Sequence, residues 1–479
     1  MHIFRSLSVN KALPFVIGGL IAVVTFFASF NRFYDDPFIT YRYTDNIVRG
    51  LGMVYNEGER ILSTTTPLFA LLLIPFRLIS YEHLPVFAKM IGSISLAAGG
   101  LLLWDLGKTW KTPFVGWAGL FLYPIFGLLI NTNGSETPLY MAFLLGCVAM
   151  YARNKYSWAA FFAALAILTR GDGVLLPAIL ALDYLIRVRK PIPWDAVILG
   201  ILLLMPWLLF GTIYFGSPLP VTLDAKQAQG LLSIGQKFAP GFLTVLGWFS
   251  NATGYYVEAV LALVGLISLL WRGRQWWVII AWGVLYFAAY TYLGVTRYFW
   301  YYAPLVLPFV VLVGLGVDTL TSGSGKKNGW RGKIFRAINV MIFIGLIVFQ
   351  GYELRILTGT TDPRQDIYQN VGEWLSENTP ADASIGMLEV GIMGYYAQRP
   401  IIDFAGLIQP EVAEQFGVTV QNYAESTVWT LDRYQPDYVV LQQAVSPNAS
   451  SHFTQRCTLS QRFSDEVYPQ DMLIYDCRP

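Results

Sequence analysis

Two adjacent carboxylates, Asp35 and Asp36, directly follow the first long apolar segment of the chain, residues 12–30. Charges at the end of a membrane-spanning segment are costly to place and usually serve a function. Two neighbouring carboxylates raise the pKa of one of the pair, and a nearby cation such as Arg42 lowers the pKa of the other. Tyr41 precedes Arg42 in the same short polar stretch. Two carboxylates with different pKa values suit general-base catalysis at neutral pH. The simpler alternative is a solvated turn after a helix.

Two later polar motifs could bind an anionic substrate. Glu136 opens a predicted helix whose positive end attracts phosphate, and the alternative is a plain capped helix start. Arg170 and Asp172 lie in a turn with two glycines, which leave the backbone open to a ligand. The alternative for this pair is that the two side chains only neutralise each other.

Three further residues are candidates for holding a phosphate. Lys226 follows a segment with two prolines. Arg297 and Tyr298 precede a run of aromatic residues that is typical of a membrane interface. Arg297 either binds a lipid phosphate or only extends its charged end to the interface for solvation.

Metal and cofactor chemistry has little support in the sequence. The chain has three histidines and three cysteines, and their spacing does not form a ligand cluster. Asp35, Asp36 and Glu136 could together hold Mg²⁺ or Mn²⁺, but an anionic group that faces arginines needs no metal. We therefore expect no required cofactor, with a divalent metal as the open alternative. The basic residues are dispersed, so we expect no nucleic-acid partner.

The composition places these motifs in a membrane protein. Of the 479 residues, 55% are hydrophobic and 13% are charged, against about 25% charged in soluble domains. The mean hydropathy is +0.48. A membrane-spanning helix needs about 20 apolar residues, and about eleven segments are candidates. They are residues 12–30, 84–106, 114–130, 137–151, 156–169, 174–186, 196–215, 256–271, 276–293, 300–317 and 334–350.

Lysine and arginine residues determine the orientation of the predicted spans. With the N-terminus in the cytoplasm, every inner turn is basic and the polar motifs all face outward, beginning in a long outer loop at 31–85. Segment 67–79 is then an interfacial helix, because a crossing there would move every later basic turn outside. For the same reason, residues 156–186 form a hairpin with residues 169–173 at its outer tip. This topology predicts a multi-pass protein of the plasma (inner) membrane.

A polar C-terminal domain, residues 351–479, follows the membrane domain of residues 1–350 and is expected to be extracytoplasmic. Its apolar spacing predicts a small α/β fold. The predicted helices are residues 364–378 and 423–434, and the predicted strands are residues 384–388, 400–403, 438–441 and 472–476. Cys457 and Cys477 can form a disulfide if this domain lies outside the cytoplasm.

Several motifs, in the same order, resemble the GT-C superfamily of membrane glycosyltransferases. They are DDPFITYRY (35–43), GLGMVYNEGER (50–60), TTTPL (64–68), GSETPL (134–139), LTR (168–170), LPVTLDAK (219–226) and RY (297–298). The likeness is greatest to the bacterial arabinofuranosyltransferase and protein mannosyltransferase-like branch. It implies a polytopic α-helical fold of about eleven spans with a small C-terminal α/β domain.

The resemblance implies a polyprenyl-phosphate-linked sugar as the donor and an extracytoplasmic glycan, lipid or protein as the acceptor. It implies that an aspartate of the first loop is the general base, without separating Asp35 from Asp36. The phosphate-binding candidates are then Arg170, Lys226, Arg297 and Tyr298, and the other substrate-binding candidates are Tyr41, Arg42, Glu136 and Asp172. In-line attack on such a donor inverts the anomeric carbon.

Two other classes of function are weighed against a glycosyltransferase. A transporter or flippase of lipid-linked sugars would show polar residues at mid-membrane and on both faces, together with repeated halves. A non-catalytic scaffold that presents the C-terminal domain would leave the clustered outer motifs unexplained. The one-sided clustering favours an inverting glycosyltransferase.

Overall fold

The computed structural model describes residues 12–233, 235–271, 273–323, 330–360, 362–443 and 455–478. Its α-helices are α1 Leu13–Ser29, α2 Asp36–Val48, α3 Pro67–Ile79, α4 Leu84–Thr109, α5 Pro113–Phe121, α6 Gly127–Ile130, α7 Thr137–Tyr151, α8 Tyr156–Thr169, α9 Leu175–Asp183, α10 Trp194–Phe215, α11 Thr222–Gln229, α12 Phe238–Phe249, α13 Thr253–Ser268, α14 Trp277–Leu293, α15 Val306–Gly323, α16 Trp330–Thr358, α17 Arg364–Asn378, α18 Ile392–Ala397, α19 Pro410–Ala413 and α20 Tyr423–Tyr434. Its strands are β1 Ile385–Met387, β2 Ile401–Asp403, β3 Tyr438–Gln442, β4 Thr458–Phe463 and β5 Met472–Asp476.

Apolar helices form the membrane part of the protein. Within the described residues, the helical segments long and apolar enough to cross a bilayer are Leu84–Thr109, Trp194–Phe215, Arg274–Leu293, Phe299–Ser322 and Gly332–Thr358. Shorter apolar helices, such as Leu13–Ser29 and Thr253–Ser268, pack among them. The chain is therefore a multi-pass membrane protein, and the total of about eleven crossings stays a prediction.

One predicted span is interrupted. Residues 114–130 do not form a single helix, because α5 ends at Phe121 and α6 begins only at Gly127. Pro124 lies in the gap, and proline lacks the N–H that a continuous helix requires. At the other end of the membrane part, α16 continues to Thr358, past the boundary that we predicted at residue 350.

The predicted hairpin of residues 156–186 is confirmed. The rings of Tyr156, at the start of α8, and Tyr184, directly after α9, have centroids 5.1 Å apart. The two helices are therefore antiparallel, and residues 169–173 form the turn between them. The predicted helix at residues 67–79 is also present as α3, and its Arg77 pairs with Asp45 of α2 at 2.5 Å.

The C-terminal part contains a five-stranded sheet in the order β2-β1-β3-β5-β4. β1 pairs in parallel with β2 and β3, whereas β5 pairs antiparallel with β3 and β4. The four predicted strands and both predicted helices are present. We missed β4, because it is an edge strand of mostly exposed polar residues without the apolar run that identified the others. The disulfide between Cys457 and Cys477 joins the chain beside β4 to the chain after β5.

The C-terminal domain packs directly on the first loop of the membrane part. The rings of Tyr81 and Tyr395 are stacked at 4.6 Å, and each hydroxyl donates to the other residue's carbonyl, at 2.6 and 2.8 Å. Asn56 of the first loop donates to the carbonyl of Ile401 in β2 at 2.8 Å. These contacts join the C-terminal domain to the first loop, the segment that contains α2.

Candidate active site

A cavity of about 500 Å³ lies where the loops between the membrane helices meet α2. Its size falls in the range of about 300–1,000 Å³ that is usual for ligand sites. Its polar wall includes Asp36, Glu136, Arg170, Asp172 and Lys226. The structure thus brings together five of the residues that the sequence singled out, from four separate segments of the chain.

Asp36 and Lys226 form an ion pair on one side of the cavity. The Lys226 Nζ lies 3.3 Å from Asp36 Oδ2 and 4.0 Å from the centre of the Tyr298 ring. Lys226 is almost fully buried. Burial lowers the pKa of Lys226, but the Asp36 carboxylate together with the neighbouring tyrosines outweighs this effect, and the pKa ends well above its usual value. Lys226 is therefore a permanent cation in the cavity wall.

Arg170 is the centre of a second buried cluster. Its Nη1 donates to Glu136 Oε1 at 2.9 Å, and its Nη2 donates to Asp172 Oδ2 at 2.9 Å. The Tyr290 hydroxyl donates to Asp172 Oδ2 at 2.6 Å and accepts from Arg170 Nη2 at 2.8 Å. The guanidinium group therefore faces two carboxylates at once.

The two glycines of this turn have different environments. A Cβ on Gly171 would meet no heavy atom within 4 Å, and Gly171 lines the cavity, as expected for an open backbone. A Cβ on Gly173 would lie only 2.7 Å from the backbone carbonyl of Ala166. Gly173 therefore lets the turn pack on α8, which differs from the predicted role in ligand approach.

Asp35 does not line the cavity. Its carboxylate accepts hydrogen bonds from the backbone N–H groups of Gly391 and Ile392, at 2.7 and 2.8 Å. Burial, followed by the nearby charge of Glu389, raises the pKa of Asp35 to about 8. Asp35 thus contacts the C-terminal domain, and of the two adjacent carboxylates Asp36 is the one that faces the cavity.

Tyr41 and Arg42 also lie outside the cavity, contrary to our expectation. The Tyr41 hydroxyl donates to the carbonyl of Gly134 inside a packed core. Arg42 donates to the carbonyls of Gly394 and Arg399 in the C-terminal domain. Neither side chain reaches the cavity, because α2 presents Asp36, Ile39 and Thr40 to it instead. A contact of Tyr41 or Arg42 with substrate stays a prediction.

Arg297 and Tyr298 do not line the cavity either. The alkyl chain of Arg297 packs beside Gly241 of α12, where an added Cβ would lie 2.6 Å from it. The Tyr298 hydroxyl donates to Gln229 Oε1 at 2.9 Å, and its ring lies under Lys226. Tyr298 therefore packs against Lys226 outside the cavity wall, and Arg297 does not line the cavity.

Some cavity residues had no signal in the sequence. Tyr290 belongs to an aromatic-rich helix in which nothing separated it from core tyrosines. Leu407 reaches the cavity from the loop after β2, and this loop is shaped by Asp403, which accepts from the backbone N–H groups of Ala405 and Leu407. Only the three-dimensional packing brings the C-terminal domain to the cavity.

The carboxylates of the cavity are already paired with cations: Asp36 with Lys226, and Glu136 and Asp172 with Arg170. Across the described residues, no group of three or more histidine, cysteine or acidic side chains is arranged to hold a metal. Asp35, which we considered as a third ligand with Asp36 and Glu136, faces away. These residues do not fit a metal site, and whether activity needs Mg²⁺ or Mn²⁺ stays untested.

The fold is that of the GT-C membrane glycosyltransferases, which confirms the predicted fold class. ArnT of Cupriavidus metallidurans, solved with undecaprenyl phosphate bound, is similar with a TM-score of 0.65 and 11% identity, over 97% of this chain and 98% of that chain. The Archaeoglobus fulgidus oligosaccharyltransferase is similar with a TM-score of 0.61 and 14% identity, over 90% of this chain and 70% of that chain. At such identities the likeness concerns the fold.

In sequence, the chain is 26% identical over 289 residues to a terminal β-(1→2)-arabinofuranosyltransferase of Mycobacterium tuberculosis. The match covers 53% of this chain and 44% of that protein, so the chain spans less than half of its length. Residues 355–475 match a family model that is described as a domain of unknown function, DUF8728.

Proposed function

We propose that this protein is an inverting membrane glycosyltransferase that moves a sugar from a polyprenyl-phosphate donor to an extracytoplasmic glycan, lipid or protein acceptor. In this reaction an acceptor hydroxyl oxygen bonds to the anomeric carbon while the bond from that carbon to the phosphate oxygen breaks. Asp36 takes the hydroxyl proton, and polyprenyl phosphate leaves. The observation that carries the proposal is the meeting of Asp36, Lys226 and Arg170 in one cavity.

The walls of the cavity fit a donor with a charged head and an apolar tail. Leu204, Trp207 and Leu208 of α10 line one side. Only 11% of the spanning window of α10 is buried within the protein, so this helix faces lipid on most of its surface. A polyprenyl chain could enter along α10 from the bilayer while its phosphate reaches the polar end.

The phosphate would lie against Lys226 and Arg170. Both cations are buried, and charge-assisted hydrogen bonds are strongest where water is excluded. They would hold the donor phosphate and stabilise the negative charge that grows on it as the sugar leaves. Positioned base catalysis by Asp36 would add roughly 10²–10⁴ in rate.

Asp36 is the better candidate for the base because Asp35 is buried against the backbone of the C-terminal domain. The experiment is release of polyprenyl phosphate from synthetic undecaprenyl-phosphate-linked sugars by purified protein in nanodiscs. Asp36→Asn should lower the rate by roughly 10²–10⁴ while undecaprenyl phosphate still binds. Asp35→Asn is the matched control and should keep a far larger share of activity. Equal rates for wild type and Asp36→Asn would exclude the assignment.

The cavity would open on the outer face of the plasma membrane, with the N-terminus in the cytoplasm and the C-terminal domain outside. The disulfide between Cys457 and Cys477 supports this, since disulfides persist in oxidising compartments. A reporter enzyme that is active only outside the cytoplasm, fused after residue 479, should be active. An inactive reporter, with a cytoplasmic reporter active at the same place, would reverse the orientation.

A further inference from the structure

The cavity wall carries more negative than positive charge. Three carboxylates, Asp36, Glu136 and Asp172, face two cations, Arg170 and Lys226. Both cations already have carboxylate partners at 2.9–3.3 Å. A phosphate that enters this cavity must therefore displace a carboxylate from one of them, or share it.

The two partners of Arg170 are held unequally. Asp172 receives hydrogen bonds from Nη2 at 2.9 Å and from Nε at 3.3 Å, and a third from the Tyr290 hydroxyl at 2.6 Å. Glu136 receives one guanidinium hydrogen bond, from Nη1 at 2.9 Å. Glu136 also lies in the cavity wall, with 14% of its side chain exposed. An incoming phosphate oxygen therefore replaces Glu136 more easily than Asp172.

Glu136 has few other groups to stabilise its charge. Within the described part of the chain, the titratable groups that face it are Arg170, Asp172, Tyr34 and Tyr41, and Arg170 is the cation among them. The Thr137 hydroxyl lies 3.4 Å from its carboxylate. Burial raises the pKa of Glu136 even with Arg170 beside it. A buried carboxylate that loses its only cation takes up a proton instead of staying charged.

We propose that Glu136 occupies the place of the lipid phosphate on Arg170 in the unliganded site and is released as a neutral acid when the phosphate binds. One proton from solvent is then taken up with each lipid phosphate. This inference rests on the proposed function, because it assumes that the cavity binds a polyprenyl phosphate. It gives Glu136 a function in exchanging the ligand of Arg170, beyond a contact with substrate.

The test is titration calorimetry of the full-length protein in nanodiscs with undecaprenyl phosphate. Binding at pH 8 is measured in two buffers with different ionisation enthalpies, which gives the number of protons taken up. A phosphate monoester has its second pKa at about 6, so at pH 8 the free lipid is a dianion. We expect about one proton per lipid for wild type and for the control Glu411→Gln, whose side chain is exposed on the C-terminal domain. For Glu136→Gln we expect none.

A second measurement needs no variant. Proton uptake makes binding of the wild type weaker as the pH rises, by about tenfold per pH unit for one proton. An affinity that does not change between pH 7.5 and pH 9 would overturn the exchange. So would equal proton uptake by wild type and Glu136→Gln, which would place the proton on the phosphate itself. Binding of undecaprenyl phosphate without this proton uptake would overturn the exchange alone. No binding of undecaprenyl phosphate at all would overturn the proposed function as well.

Discussion

At the scale of single residues, two neighbouring aspartates take opposite positions. Asp36 begins α2 and faces the cavity, whereas Asp35 accepts hydrogen bonds from two backbone N–H groups at the start of α18. At the start of α2, Asp36 is thus the candidate base and Asp35 is a contact between the membrane part and the C-terminal domain. Each residue has its own testable consequence.

The stability of the protein should depend on the protonation of Asp35. The pKa of this carboxyl is about 8 in the folded protein, against an ordinary value of 3.8. Between these values the folded state holds a proton that the unfolded state has lost, so the free energy of unfolding falls as the pH rises from about 4 to about 8. Thermal unfolding at several pH values measures this slope, and Asp35→Asn should reduce it.

Part of the slope should remain in Asp35→Asn. Burial also raises the pKa of Glu389, near Asp35, and the pKa of Asp403, to about 6, and both act in the same direction, Asp403 at lower pH. The comparison of the two proteins between pH 6.5 and pH 8 is therefore the most direct. An unchanged slope in that interval would show that Asp35 does not hold the proton.

Lys226 should be required for binding of the lipid phosphate. Lys226→Met keeps much of the buried alkyl chain but removes the cation, so we expect the Kd for undecaprenyl phosphate to rise by about tenfold or more, in line with a charge-assisted hydrogen bond of roughly 1.5–3 kcal/mol. Binding to protein in nanodiscs measures this change. Lys155→Gln, at an exposed lysine in the turn before α8, is the control. Equal weakening by both variants would point to a general loss of charge instead of a specific contact.

At the scale of secondary-structure elements, the turn between α8 and α9 positions Arg170. Gly173 packs on the backbone of α8, and Gly171 is open to the cavity. Gly173→Ala forces its new methyl group against the Ala166 carbonyl and should destabilise the protein by about 1–3 kcal/mol. Gly171→Ala should leave the melting temperature nearly unchanged. Similar melting temperatures for the two variants would contradict this packing.

Most elements could be predicted from their apolar periodicity, because burial of one face leaves a regular pattern. The boundaries of α3, α17 and α20 agree with the prediction. The interruption between α5 and α6 was missed, although Pro124 marks it, because the apolar run continues through the gap. β4 was missed because an exposed edge strand leaves no apolar pattern.

The composition of the cavity could be predicted only in part. Asp36, Glu136, Arg170, Asp172 and Lys226 were found because charged residues stand out between apolar spans. The sequence does not show where the side chains of Arg42 and Arg297 point, because this depends on which face of a helix or loop packs against its neighbours. Tyr290 gave no signal, because a tyrosine in an aromatic-rich helix resembles any core residue.

At the scale of the whole molecule, the C-terminal domain and the first loop form one packed unit. Arg42 donates to two carbonyls of that domain and to the Tyr55 carbonyl of the loop. Asp35 and Asn56 reach the same domain. The position of α2, and with it Asp36, therefore depends on the C-terminal domain.

Arg42→Ala should loosen this junction. It removes two charged hydrogen bonds to the C-terminal domain, each worth roughly 1.5–3 kcal/mol, so proteolysis in the segment between α16 and α17 should become faster. The control is Arg433→Ala, which removes an exposed arginine on the surface of the C-terminal domain. Equal cleavage rates for both variants and wild type would show that Arg42 does not hold the junction.

The central claim is that one lipid phosphate binds between Lys226 and Arg170, with Asp36 beside the anomeric carbon of the donor sugar. A structure of the protein with undecaprenyl phosphate bound tests this claim most directly. We expect phosphate oxygens within hydrogen-bond distance of both cations, the polyprenyl chain along α10, and Glu136 turned away from Arg170. A phosphate bound outside this cavity, or one that contacts neither cation, would contradict the account.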